Sequence, residues 1–327
     1  MSVLRRICLR LASVLGLLSL LLSAPALAQA QTPSAAVPEV QIGAYILRLS
    51  NVSQKDGSFD VDVWLWFRWT DPDLKPYESF EFSNGSISSK SEPVVSRDGD
   101  HFYTSVRVQA TVLHDFDVRK YPLDSHVLHI YVEDENLDAA HMQYVADAST
   151  AIDPELRVPG WTVKLGTAQV DLRSYPTNYG LQSSGETAST YSRATFEIDL
   201  LRTDYGPLFK QFWMSALSVL LGLLAFRVRA TDLDARFGLG VGSIFAASAN
   251  AFVIADSLPQ SADVTMAEQI NFLSIGTIFL CVAISVWSLR ICYRGKDDLS
   301  ERLDRWAMSL IGIAYVVANV MIVALNT

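Results

Sequence analysis

The pattern of hydrophobic and polar residues changes near residue 205. Before this point apolar and polar residues alternate in short runs, of which Phe59–Trp69 is the clearest. Period two over this length predicts a strand with one buried face. Trp64 and Trp66 lie on the other face, where we expect cover from a ligand or a neighbouring subunit. Several such runs predict a β-sandwich. The other predicted strands are Tyr103–Val112, His126–Val132, Trp161–Val170 and Thr195–Leu201, with a long hairpin tip at Ser174–Ser192.

Four apolar segments follow, each near the roughly 20 residues that a helix needs to cross a bilayer. We predict membrane helices at Leu208–Phe226, Asp232–Pro259, Met266–Ile291 and Leu303–Leu325. Lys and Arg are concentrated after the first and third segments, and none lies between the second and third. The positive-inside rule therefore places the loops after the first and third helices in the cytoplasm and the C-terminus outside.

The start of the chain has the pattern of a secretory signal. Basic residues precede the apolar run Leu11–Leu22, and Ala26-Leu27-Ala28 is a small-x-small cleavage site. An uncleaved signal anchor is the alternative, and the Ala-rich stretch that follows favours cleavage. We predict a signal peptide at 1–28, a linker at 29–38, an exported β-sandwich at 39–204 and a four-helix transmembrane domain at 205–327. The predicted class is an α+β, multi-pass membrane protein, with both termini of the mature chain outside the cytoplasm.

Composition narrows the possible chemistry. The 327 residues carry a formal charge of −9, half of them are hydrophobic, and the three cysteines are Cys8, Cys281 and Cys292. The predicted exported domain thus has no cysteine for a disulfide, so core burial and assembly must hold it together. His126 and His129 have odd spacing on one strand and point to opposite faces. No nucleophile elbow, phosphate loop or metal-binding signature is found in the sequence. We predict no enzyme activity, no cofactor and no nucleic-acid partner, and we assign no metal ligands.

The second apolar segment is unusual because it is rich in small residues and has an acid near each end. At helical spacing one face carries acids at both ends, small residues at the inner end and two aromatic residues. In a ring of identical helices this face would form charged vestibules and hydrophobic constrictions, which channels use for selection and gating. A packing helix of a transporter bundle is the alternative. The residues of this face are Asp234, Gly238, Gly242, Phe245, Ala249, Phe252 and Asp256.

The segment His114–Leu128, HDFDVRKYPLDSHVL, resembles the signature loop of the Cys-loop receptor family, in which a disulfide encloses a Tyr/Phe-Pro-x-Asp turn. His114 and Leu128 occupy the two cysteine positions, and prokaryotic members, the pentameric ligand-gated ion channels, typically lack this disulfide. Trp64 together with Trp69-Thr70-Asp71 is similar to the second-strand pattern of the family, and Arg202 is similar to its pre-membrane arginine. The resemblance covers about residues 40–327. It implies a homopentamer in the lipid bilayer of the bacterial inner membrane, with the β-sandwich and both termini of the mature chain in the periplasm.

The resemblance also implies agonist sites between neighbouring extracellular domains. Trp64 matches an aromatic residue on one wall and Tyr191 matches one on the other, with Tyr175 and Tyr179 nearby. An aromatic cage suits a cationic ligand, and aromatic packing between subunits is the alternative. Because Lys75–Pro93 is shorter than the corresponding region of the family, the effector stays open among a small molecule, protons and divalent cations. The acids considered for the latter two are Asp60, Asp62, Glu133, Asp134 and Glu135.

Two further features follow from the resemblance. Coupling between the domains would run through Tyr121, Pro122, Asp124, Arg202 and the connection that contains Pro259, with an ion pair between Asp124 and Arg202. A ring of Asp234 carboxylates, with Arg236 turned away from the lumen, would favour monovalent cations over chloride. The leading hypothesis is a cation-selective ligand-gated channel. The alternative is a non-conducting periplasmic sensor of the same architecture.

Overall fold

The computed structural model describes residues 37–180, 188–202, 206–259 and 263–326. The predicted signal peptide and most of the predicted linker lie outside these residues. Two sheets form the first half of the described chain. One has seven strands in the order β4-β6-β2-β1-β8, with β5 paired to β6 and β9 paired to β1, and the other has the order β10-β11-β7-β3. The strands are β1 Glu39–Ser53, β2 Ser58–Trp69, β3 Phe80–Phe82, β4 Gly85–Lys90, β5 Ser96–Asp98, β6 His101–Leu113, β7 Ser125–Asp134, β8 Gln143–Ala146, β9 Ala151–Ile152, β10 Trp161–Tyr175 and β11 Ser189–Arg202.

The core lies between the two sheets, as in a β-sandwich. Strand β2 follows the predicted alternation, because every second residue from Phe59 to Trp69 is buried. Phe67 contacts Phe80 of the other sheet with ring centroids 5.3 Å apart. Leu128 and Phe196 complete this core from β7 and β11. The burial of large apolar side chains from both sheets is the main stabilising contribution here, at about 1.5–3 kcal/mol for each one.

Two sequence-based expectations for this domain need correction. The hairpin tip is shorter than Ser174–Ser192, because the β10–β11 ladder continues to the pair Tyr175–Ser189. Trp66 is half-buried and already has partners within its own chain. Its indole Nε1 donates to Asp147 Oδ2 over 2.8 Å, and its ring fills the space beside Gly43, where a Cβ atom would lie 2.3 Å from the ring.

One short helix, α1, lies within the sandwich at Pro76–Ser79. Four helices follow the sandwich: α2 Gly206–Leu224, α3 Leu233–Ser257, α4 Met266–Cys292 and α5 Asp297–Asn326. The last three are long and apolar enough to cross a membrane, whereas α2 contributes to a shorter apolar stretch, Phe212–Arg227. Among the described residues, three of the four predicted spans are thus helices whose length and composition suffice to cross a membrane. Helix α5 begins six residues before the predicted Leu303.

Helix α3 is held by one buried face, on which small and polar residues permit close packing. Gly240 lies so near α4 that a Cβ atom would come within 2.8 Å of Val282. Asn250 donates to Ser215 Oγ on α2 over 2.9 Å and to Asn271 Oδ1 on α4 over 3.4 Å. These contacts fix the rotation of α3 relative to its neighbours. The buried residues of α3 are Arg236, Gly240, Ser243, Ala247, Asn250 and Ile254.

Candidate functional site

The face of α3 predicted to line a pore lies opposite its buried face. All seven of its residues are exposed on the single chain: Asp234, Gly238, Gly242, Phe245, Ala249, Phe252 and Asp256. The two aromatic side chains are the most conspicuous, since Phe245 is 73% exposed and Phe252 is 77% exposed. An aromatic pair with this exposure needs either lipid, a partner subunit or a lumen around it.

The two ends of α3 differ in the partners of their charges. At the first end, Asp234 is exposed in the first turn, and Arg236 turns inwards, where Nη2 donates to Asp304 Oδ1 of α5 over 2.7 Å. At the other end, the Asp256 carboxylate accepts from Lys55 Nζ over 2.6 Å. The sequence predicts Asp256 only as an acid at one end of the pore-lining face. The structure joins it to the turn between β1 and β2.

A polar network lies where the sandwich meets the helices. Arg202 Nε donates to Asp124 Oδ1 over 2.9 Å, so the predicted contact between these two residues is present. His126 Nε2 lies 2.6 Å from Asp124 Oδ2, and Gln54 donates to the same oxygen. Burial opposes ionisation of Asp124, but the hydrogen bond to His126 and the charge of Arg202 outweigh it, so the pKa of Asp124 is below its usual value. Asp124 is therefore a buried carboxylate with several donors.

Backbone contacts connect this network to the helices. Met266 N donates to Arg119 O over 2.9 Å and Ala267 N donates to Tyr121 O over 3.2 Å. Val118 packs against Ile254, Leu258 and Ala267 at the facing ends of α3 and α4. Pro122 is buried and follows a cis peptide bond, and Pro259 is half-buried, whereas residues 260–262 lie outside the described chain. The predicted coupling residues of the signature loop therefore lie against the ends of two membrane helices.

Three of the four predicted ligand-site aromatics lie together. Tyr175, Tyr179 and Tyr191 form a trio with ring centroids 6.0–6.4 Å apart. Trp64 lies on β2 in the other sheet, where it is paired in register with Tyr45 and Arg107. The structure does not bring Trp64 to the tyrosine trio within one chain, so a site using all four needs two subunits.

A second buried carboxylate lies beside the trio. Glu133 accepts from the Tyr175 hydroxyl over 3.0 and 2.9 Å and from Arg193 Nε over 2.5 Å. The Arg193 guanidinium lies over the Tyr131 ring, 4.5 Å from its centroid. Burial, followed by the bond to Glu133, raises the pKa of Tyr175. The acids proposed from the sequence as an effector site are thus partly structural, and the described residues contain no group of three or more metal-ligating side chains.

No family model matches the chain. A curated relative is a proton-gated ion channel from Gloeobacter violaceus, 22% identical over 305 residues, which span 86% of this chain and 82% of the relative. The chain is a distant homologue of an ion channel. This relationship agrees with the membrane helices and with the expectation of a non-enzymatic protein.

In this ion-channel homologue, sequence reasoning found the exposed face of α3 and the Asp124–Arg202 pair but missed several partners. Gln54, Lys55 and Arg193 carried no motif, and His126 was considered only as a metal ligand. Their common signal is weak: each is a single polar residue within a strand or just after one. Only the folded arrangement shows that each one contacts a carboxylate.

Proposed function

We propose that the chain forms a pentameric ligand-gated ion channel whose pore is lined by α3. The observation that carries this proposal is the two-faced character of α3, with one face buried on neighbouring helices and the other exposed with its acids, small residues and two phenylalanines. A helix that faced only lipid would not need acids and glycines on its exposed side. The ion-channel homologue supports the same conclusion.

The gate in this proposal is hydrophobic. Five copies each of Phe245 and Phe252 would form two apolar constrictions, and a narrow apolar pore blocks ions by losing its water. Gly238 and Gly242 leave the inner end wide. Opening then requires that the aromatic rings move apart, so that water and ions can enter the constriction.

Selectivity in this proposal comes from Asp234. A ring of five carboxylates raises the local concentration of cations and repels chloride. The nearby Arg236 does not cancel this field at the lumen, since its side chain is directed to Asp304 on the buried side of α3. We therefore propose that monovalent cations permeate.

The effector in this proposal binds between subunits. The tyrosine trio would supply one wall and Trp64 of the adjacent copy the other, and ring faces of this kind attract organic cations. The name of the relative adds protons as a candidate effector. Whichever effector binds, the signal would reach α3 through Asp124, Arg202 and the loop around Tyr121. This loop contacts the ends of α3 and α4.

The test is ionic current from reconstituted protein under a KCl gradient. Replacing the gate residue, Phe245→Ala, should give a leak that needs no agonist, with a reversal potential near that of potassium. Phe279→Ala is the matched control, because Phe279 is 69% exposed but lies on α4. Reversal near the chloride potential would keep the channel and overturn the cation selectivity.

Assembly is measured separately by native mass spectrometry, which should give five subunits. A folded pentamer that stays silent even with Phe245→Ala and Phe252→Ala combined would overturn the channel and favour the non-conducting sensor. Asp234→Asn should lower the preference for potassium over chloride and leave the leak of Phe245→Ala in place.

A further inference from the structure

The network beneath the sandwich contains a titratable group that the proposed coupling does not use. His126 is buried, and its Nε2 lies 2.6 Å from the Asp124 carboxylate that holds Arg202. We propose that His126 is a proton-binding site and that its protonation weakens the hold of Asp124 on Arg202. This inference rests on the proposed function and deepens it, because it names the proton as an effector and places it at the junction of sandwich and helices.

The geometry defines the proton on each nitrogen. Asp124 is ionised at neutral pH, so an oxygen 2.6 Å from Nε2 requires a hydrogen on that nitrogen. Gln54 Nε2, 3.0 Å from the same ring nitrogen, has only hydrogens to offer and donates to Asp124. The neutral ring therefore has its free lone pair on Nδ1, which is the atom that takes up the added proton.

Solvent reaches this network from one side. A cavity of about 620 Å³ lies beside it, and its walls include Gln54, Trp161, Arg202 and Tyr121. Gln54 thus lies between the water-accessible space and the buried ring. Protons can reach the network through this cavity without crossing the core of the sandwich.

The other ionisable groups around His126 hold fixed charge states near neutral pH. Burial, with the nearby His126 and His129, lowers the pKa of His114 to about 4, so His114 is neutral. Hydrogen bonds from Arg119 lower the pKa of Asp117 to about 2.

The remaining charged groups near His126 are carboxylates and basic side chains, and several of them are already paired. Arg202 is a permanent cation, and Asp115 approaches His114 from the loop before β7. Across the cavity Lys55 is paired with Asp256, and Asp56 accepts from Ser53. Because His114 is already neutral, His126 is the remaining histidine among the described groups that face this site, and histidine is the residue type that changes charge between about pH 5 and 8.

The added charge acts on Arg202 directly. Asp124 receives Arg202 at Oδ1 and His126 at Oδ2, so a second cation competes for one carboxylate. The His126 ring and the Arg202 guanidinium both lie near Trp161, with the His126 ring centroid 5.5 Å and Arg202 Cζ 4.1 Å from the Trp161 ring centroid. An imidazolium there repels the guanidinium, and Arg202 is the last residue of β11 before the membrane helices.

The experiment compares the pH dependence of current in full-length wild type, His126→Gln and His129→Gln, all in liposomes. Glutamine retains a donor to Asp124 but cannot titrate, so His126→Gln should shift the midpoint of the pH response by at least about one unit or remove it. His129 is the control, since it lies on the same strand 3.6 Å from Glu197 and outside the network. An unchanged midpoint in His126→Gln would overturn the inference.

A second readout does not need conduction. Ring-¹⁵N NMR of histidine-labelled protein in nanodiscs should show the His126 ring taking up its second proton over the pH range of the current response, with the signal identified by its loss in His126→Gln. Asp124→Asn should lower that midpoint, because the carboxylate that favours the imidazolium is gone. Titration without any current would overturn the channel and keep the proton site. Current with a His126 signal that does not titrate would overturn the site and keep the channel.

Discussion

Strands β7 and β11 carry a buried carboxylate–arginine pair near each of their two ends, and the two pairs are built alike. At the tyrosine end the side chains of Glu133 and Arg193 are 3% and 13% exposed, and at the membrane end those of Asp124 and Arg202 are 1% and 10% exposed. Each guanidinium lies over an aromatic ring, Tyr131 in one case and Trp161 in the other.

The pairs differ in the third donor that shares the carboxylate. Glu133 is shared with the phenol of Tyr175, whose pKa is raised further, so this donor keeps its proton at all physiological pH values. Asp124 is shared with a histidine, a residue type that changes charge in that range. In our proposal, the ion pair beside Tyr175 keeps a fixed charge, whereas the ion pair beside His126 responds to pH.

Removing either carboxylate should have the largest effect on stability. Asp124→Ala and Glu133→Ala each leave a buried arginine unpaired, which costs about 3–5 kcal/mol. Thermal unfolding in detergent should show a comparable loss for both variants. Asp98→Ala, in the exposed pair with Arg68, is the control and should cost under about 1 kcal/mol. A small loss of stability for only one of the two variants would show that the two buried pairs are not equivalent.

Exchanging the charges of the membrane-end pair should recover part of what the single variants lose. Asp124→Arg and Arg202→Asp alone should abolish gating, and the double variant should regain about 1–3 kcal/mol of coupling. Recovery is expected to be incomplete, because the new arginine lies beside His126. The readout is agonist- or pH-evoked current together with unfolding. No recovery in either measurement would remove the direct contact from the coupling route.

Removing the phenol at the tyrosine end should have a smaller effect. Tyr175→Phe loses the hydrogen bonds to Glu133, and a bond to a charged group contributes about 1.5–3 kcal/mol. Tyr191→Phe keeps both the trio of rings and the Glu133 bonds, so it should unfold like wild type. The pH response of the current should be unchanged in both variants, which separates the Glu133–Arg193 pair from the pH-sensitive Asp124–Arg202 pair.

Acid should reveal the smallest difference between the ends. The pKa of Asp124 is lowered in the folded state, so its stabilising contribution is present above its unfolded pKa of about 3.9 and is lost as the pH falls through the folded value. Thermal midpoints of Asp124→Asn should therefore fall less than those of wild type as the pH is lowered below about 4. Asp98→Asn should follow wild type. A slope identical to wild type in Asp124→Asn would contradict the assigned charge state.

The sequence was sufficient for features with a repeating pattern. Alternation in Phe59–Trp69 predicted the buried face of β2, and helical spacing separated the exposed from the buried side of α3. The Asp124–Arg202 contact was reached through the signature loop. Contacts between single side chains had no such pattern: Lys55 and Asp256 are 201 residues apart in the chain, and their pairing depends on the docking of two domains.

The remaining misses have local physical causes. Trp66 was expected to seek an external partner, but the missing side chain of Gly43 gives its ring a place within the sheet. The Ser- and Tyr-rich flanks of the hairpin tip have the composition of a loop, so the sequence predicts too long a tip, although backbone pairing extends the ladder through these flanks.

The bonds of Asn250 restrict how α3 can move. Turning the helix about its own axis would withdraw the Asn250 amide from both Ser215 and Asn271, leaving a buried polar group without partners at a cost of about 1–3 kcal/mol in each subunit. In the proposed pentamer, tilting α3 together with α2 and α4 as one rigid unit would keep these bonds and still move Phe245 and Phe252 away from the same residues of the other subunits. The polar contacts at Asn250 therefore favour an outward tilt of α3 over a rotation about its own axis.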